Sequence, residues 1–143
     1  MRRRAASRKS QPFSIRLDAT ADLLVAEEAR RTGRSRSSLV TELTEEAARA
    51  RLFPGIAFRG EPRRAWAIGT GLDVWELIDL LRSYDGDAVK LRADHPLVAD
   101  HHVRIARAYA ERFPDEIEAL LEEQDRPLEE LRALYPFLQT TEG

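Results

Sequence analysis

The order of apolar and polar residues predicts a strand near the start of the chain and helices after it. In residues 12–18, PFSIRLD, apolar Phe13, Ile15 and Leu17 alternate with polar residues, as in a strand with one buried face. A strand needs a hydrogen-bonding partner, and the apolar stretches that follow have helical spacing. The nearest candidate partner is the same strand of a second chain, so the pattern predicts a homodimer.

Two helices are expected after this strand. Asp18 is a suitable N-cap for the first helix, and Gly33 suits the left-handed position at its end. Ser35 is a suitable N-cap for the second helix. Pairing two copies would bury apolar surface that a unit of about forty residues cannot bury alone. The expected dimer core comprises Phe13, Ile15, Leu17, Leu39, Val40 and Leu43.

A second domain is expected at residues 53–113, because glycine and proline become frequent after Arg51. Two short strands are predicted at about 56–59 and 65–68. A helix capped by Asp73, a short helix at about 87–93 and a longer one beginning at Asp100 complete the domain. Three short helices in this order are typical of a helix-turn-helix core. The expected fold class is therefore mainly α with short β elements.

The last thirty residues, 114–143, are predicted to form an acidic amphipathic tail, in which Pro127 separates two helices. An amphipathic helix of this kind suits the groove of a partner protein. The alternative is that the tail packs on its own domain or on the other protomer. The candidate partner-binding residues are Ile117, Leu120, Leu121, Leu128, Leu131, Leu134 and Phe137.

The net charge of −2 hides an uneven distribution of charge. Residues 1–36 carry 10 Lys or Arg and 4 Asp or Glu, whereas residues 111–143 carry 3 and 10. The basic front favours a polyanionic partner, and residues 1–11 are expected to be a disordered basic arm. The acidic tail favours a basic protein partner or a solvated surface. The absence of cysteine fits a cytoplasmic protein, and neither a secretory signal nor a membrane-spanning stretch is expected.

Enzymatic chemistry has one candidate segment, DHPLVADHH, which holds all three histidines. Adjacent His101 and His102 would diverge by about 100° on a helix, and no spacing places two imidazoles on one helical face. The sequence therefore predicts no catalytic residues, no metal ligands and no cofactor, and the protein is not expected to be an enzyme.

Residues 12–52 resemble the ribbon-helix-helix family of DNA-binding proteins. The resemblance lies in FSIRLD, the helix ending in RRTG, and the GRSRSS turn leading into LVTELTEEA. It implies an intertwined dimer whose two-stranded ribbon enters the major groove. The face opposite the apolar residues presents Pro12, Ser14 and Arg16, of which Arg16 suits guanine and Ser14 suits several bases. Proline at position 12 departs from the polar residue that is common in the family.

The same resemblance places the start of the second helix against the DNA backbone. Ser35, Ser37 and the free amides would contact phosphate, with Arg34 and Arg36 adding charge. The alternative for these two arginines is that they are ordinary solvated turn residues. The arm would add unselective phosphate contacts through Arg2, Arg3 and Arg4.

Residues 53–113 resemble a group of small bacterial domains, domain-of-unknown-function family 433, whose members often occur in predicted toxin–antitoxin gene pairs. The resemblance lies in FPGIAF, GTGLDVWELIDLL and DHPLVADHHVRIARAYA. Gly71 and Asp73 stand in a turn where that family usually has an arginine and a proline.

Together, the two resemblances imply a type II antitoxin. Such a protein represses its own operon by binding operator DNA as a dimer, and it neutralises a cognate toxin, here expected to be a PIN-like ribonuclease. The alternative is a stand-alone transcriptional regulator whose C-terminal domain serves oligomerisation or an additional DNA contact.

Overall fold

A computed structural model describes residues 10–125, which form two compact units. The described part is mainly helical, with six helices and one small antiparallel sheet. The division between the units falls between Thr44 and Glu45, within the second helix. Within residues 10–125, none of the helices has the length and apolar composition needed to span a bilayer.

The first unit contains helix α1, Ala19–Thr32, and the beginning of helix α2, Arg36–Leu52. The predicted caps are confirmed. The Asp18 carboxylate accepts a hydrogen bond from the Ala21 amide at 2.8 Å, and the Ser35 hydroxyl accepts one from Ser38 at 3.2 Å. Gly33 ends α1 at φ +66°, a conformation that side chains other than glycine rarely adopt.

The second unit begins with a hairpin of strands β1, Ile56–Arg59, and β2, Arg64–Ala67. Both predicted strands are present, although the second starts one residue earlier than predicted. The reason is the register, which pairs Arg59 with Arg64 across the turn. Ile68 follows the strand, and its amide still donates to the Gly55 carbonyl at 2.9 Å.

Four helices complete this unit: α3, Val74–Ser83; α4, Ala88–Asp94; α5, Asp100–Arg112; and α6, Pro114–Gln124. The three helices predicted in residues 73–113 are confirmed. They pack pairwise on one another, and α6 packs on α3 and α5. These helices and the hairpin enclose one hydrophobic core, which includes Ile56, Val74, Leu77, Leu91, Val103, Tyr109 and Ile117.

Two buried polar side chains, those of Tyr109 and Asp73, form hydrogen bonds with charged side chains of the second unit. The Tyr109 hydroxyl donates to Glu116 at 2.6 Å and accepts from Arg49 at 2.7 Å, although the Tyr109 residue is fully buried. Burial and the Glu116 carboxylate raise the pKa of Tyr109. The hydroxyl therefore stays protonated and bonded, as a buried polar group requires.

Asp73 is the second of these groups and is only 3% exposed. Its carboxylate accepts a hydrogen bond from Arg59 at 2.9 Å on one oxygen and from Arg64 at 2.8 Å on the other. Burial opposes ionisation of this carboxyl, but the two guanidinium groups prevail and lower its pKa. The residue predicted as a helix cap thus also joins the hairpin to α3.

Candidate nucleic-acid interface

The segment preceding α1 carries the residues predicted to read bases. Pro12, Ser14 and Arg16 are all exposed. Residues 10–18 form neither helix nor strand in the single chain that the structure describes. The predicted strand requires a second chain as its partner, so the ribbon stays a prediction.

The apolar residues of this segment and of α1 are largely uncovered within their own chain. Phe13 is 81% exposed and Ile15 is 68% exposed, while Leu17 is half-buried. Of the other expected dimer-core residues, Leu39 is buried, Val40 is half-buried and Leu43 is exposed. The first unit therefore leaves most of the expected dimer core in contact with water.

An apolar groove of about 600 Å³ lies on the first unit. Its lining includes Leu24, Val25 and Leu43, contributed by both helices, together with Glu27 and Arg31. Val25 is buried, but Leu24 is 57% exposed and Leu43 is 40% exposed. The groove is thus a recess whose apolar lining the described chain does not fill.

The predicted phosphate-contacting residues meet at the start of α2. Ser35 caps the helix, and Ser37 is exposed beside it. Arg34 donates to Glu42 and, at 3.0 Å, to the Ser38 hydroxyl, while Arg36 pairs with Asp22. Both guanidinium groups therefore pair with carboxylates in the single chain, and a phosphate at this helix start would have to replace a carboxylate. Arg2, Arg3 and Arg4 lie outside the described residues.

The predicted partner-binding residues divide into two groups. Ile117 is 2% exposed and Leu121 is 6% exposed, and both belong to the core of the second unit. Leu120 is half-buried. For Ile117 and Leu121, the structure favours the alternative that the helix packs on its own domain. The remaining candidates, Leu128, Leu131, Leu134 and Phe137, lie outside the described residues.

The three histidines make different contacts. His95 lies 3.4 Å from the Tyr84 hydroxyl, and the His101 and His102 rings are 4.0 Å apart. Among the described residues, no three histidine or carboxylate side chains are placed to share a metal ion. His102 instead accepts a hydrogen bond at Nδ1 from the Ala99 amide at 2.9 Å. It thereby caps the start of α5, which only an imidazole unprotonated at Nδ1 can do.

The cap at His102 predicts a pH-dependent stability of the second unit. Burial lowers the pKa of His102, the charge of His101 adds to this effect, and a backbone hydrogen bond to Ile68 opposes it. The contribution of the neutral ring is complete above its ordinary pKa of 6.5 and is lost as the pH falls through the lowered value. Urea unfolding between about pH 7 and pH 5 should show this loss, and His102→Gln should flatten the slope. An equal slope in the wild type and in the His102 variant would contradict the assignment.

Some polar contacts have no signal in the sequence. The pairs of Asp73 with Arg59 and Arg64, and the contacts of Arg49 with Tyr109 and Glu116, join residues whose proximity follows only from tertiary packing. Another such contact joins α4 to α5, where Arg92 approaches Asp100. The pair of Arg104 with Asp100, four residues apart on α5, follows instead from sequence spacing.

Comparison of the chain with protein families, with curated proteins and with solved structures found no significant match.

Proposed function

We propose that the protein is a dimeric DNA-binding antitoxin, which represses its own operon through residues 12–52 and neutralises a cognate toxin. The observation that carries the proposal is the uncovered apolar surface of the first unit. Phe13, Ile15, Leu24 and Leu43 are exposed in a segment whose helix caps and turn form as the sequence predicts. A second copy of the same unit is the occupant that the alternation of residues 13–17 requires.

If two copies pair in this way, the exposed polar face of the ribbon can contact DNA. If Phe13, Ile15 and Leu17 turn inward, Ser14 and Arg16 turn outward on a two-stranded ribbon. Such a ribbon fits the major groove of DNA, and an arginine there donates two hydrogen bonds to guanine. The start of α2 then contacts the DNA backbone through Ser35, Ser37 and the free amides.

Toxin binding is assigned to residues 126–143. Ile117 and Leu121 are buried in the core of the second unit, so they are not among the residues proposed to bind the partner. The remaining apolar residues recur at helical spacing, with Glu129 and Glu130 between the first two of them, which suits the groove of a partner such as a PIN-like ribonuclease. The proposed anchors are Leu128, Leu131, Leu134 and Phe137.

One observation favours the second candidate, a stand-alone transcriptional regulator. The burial of Ile117 and Leu121 shows that part of the acidic tail completes the protein's own fold. In that case, the second unit would serve assembly or a further DNA contact, with no toxin involved.

Co-purification distinguishes the two candidates. The tagged protein is expressed with its neighbouring genes, washed at high salt and analysed by mass spectrometry. We expect a stoichiometric small partner with the full chain and none with a variant that ends at Asp125. That variant retains α6, whose Ile117 and Leu121 belong to the core, so its second unit should still unfold cooperatively. A homodimer alone, bound to operator DNA at low salt, would reject the antitoxin and support the regulator.

A further inference from the structure

We propose that the second unit has its own DNA-binding surface, in which Arg92 on α4 and Arg104 on α5 contact phosphates of duplex DNA. This surface is separate from the ribbon proposed above and does not depend on it.

The two arginines share one exposed surface although they lie on different helices. Arg92 Nη1 is 3.7 Å from Asp100 Oδ1, and Arg104 Nε is 3.0 Å from Asp100 Oδ2. The Arg104 side chain is 73% exposed and that of Arg92 is 40% exposed. Exposed His101 adjoins Asp100 on the same turn. Two guanidinium groups thus share one carboxylate, so this cluster of three side chains has one positive charge in excess.

The apolar core fixes the helices that carry these arginines. Leu91 anchors α4, Val98 anchors the turn, and Val103 and Ala106 anchor α5; each is at most 4% exposed. With α3, they form three mutually packed helices. In a helix-turn-helix, one helix crosses the DNA backbone and the next enters the major groove. Arg92 and Arg104 occupy these two helices, so duplex DNA is the polyanion that the arrangement favours.

Asp100 is a weak competitor for these arginines. Exposed ion pairs contribute little because water screens both charges. A phosphate accepts two parallel hydrogen bonds from a guanidinium group and releases counterions from DNA when it does so. Phosphate binding therefore exchanges an exposed pair for a contact that gains from counterion release.

The test measures binding of the full chain to a duplex carrying the promoter upstream of its own gene, by fluorescence anisotropy over a series of salt concentrations. For Arg92→Ala with Arg104→Ala, we expect weaker binding and a smaller slope of log K against log salt. The slope should fall by about 0.9 for each lost phosphate contact. Asp100→Asn should bind more tightly than the wild type, because the competing carboxylate is gone; a purely structural role for Asp100 would not produce this gain.

The matched control is Arg51→Ala with Arg82→Ala, which removes two exposed arginines on α2 and α3, outside the proposed surface. It should keep the wild-type slope. An unchanged slope in the Arg92 and Arg104 variant, or an equal fall in the control, would overturn the proposal. If the double variant melts early, weaker or unchanged binding by Asp100→Asn would overturn it instead. Failure of the ribbon is distinguishable, because it would leave Arg16→Ala without effect while these slopes still changed.

Discussion

Replacing Arg16 with alanine should remove the protein's preference for its operator over unrelated DNA. A guanidinium group that bonds guanine in the major groove contributes about 1–3 kcal/mol of discrimination, and a dimer makes the contact in each half-site. Because Arg16 is exposed in the chain, its removal should leave the melting temperature unchanged. Anisotropy measurements with the operator and with a scrambled duplex of equal length give the two affinities.

Arg30→Ala is the matched control for this substitution. It removes one exposed arginine of the first unit from α1, away from the segment proposed to enter the groove. If this variant weakens DNA binding at all, we expect it to lower the affinity for both duplexes by the same factor. If Arg16→Ala keeps the full ratio of operator to scrambled affinity, the residue does not read bases and the groove assignment fails.

Placing aspartate at Ile15 should abolish the dimer. In a ribbon, this side chain would face its counterpart across the paired strands, and two buried carboxylates without partners cost several kcal/mol. Ile15 is 68% exposed in the single chain, so the substitution disrupts little within its own chain. Sedimentation velocity should show a monomer, and operator binding should be lost with the dimer.

Leu97→Asp provides the control, since Leu97 is 71% exposed and belongs to the second unit. It should sediment as the wild-type dimer. Should Ile15→Asp also remain dimeric at the same concentration, residues 12–18 are not the contact between protomers, and the ribbon interpretation is rejected.

Local signals in the sequence predicted the boundaries of most elements. Asp18, Gly33 and Ser35 act on the backbone within a few residues, so their effect does not depend on the rest of the fold. Asp73 likewise marks the start of α3. The hairpin was predicted from glycine and proline, but its register depends on pairing across the turn, which explains the shift of one residue in β2.

Patterns of apolar residues could not show what covers them. The spacing of Ile117 and Leu121 fits a partner's groove and the protein's own core equally well, and only packing on α3 and α5 decides in favour of the core. The same limit applies to Phe13 and Ile15, whose alternation indicates a buried face without identifying the chain that buries it. Contacts such as that of Arg49 with Tyr109 depend on this packing and cannot be predicted from the spacing of residues in the sequence.

The inclusion of α6 in the core has a consequence for the lifetime of the protein in a cell. A protease that trims the carboxyl end can remove residues beyond Gln124 without taking any buried side chain of α6. The next turns contain Leu121 and Ile117, whose loss would open the core between α3 and α5 to water. Degradation from that end therefore meets a barrier at α6, and the second unit is expected to persist as a trimmed fragment until that helix unfolds.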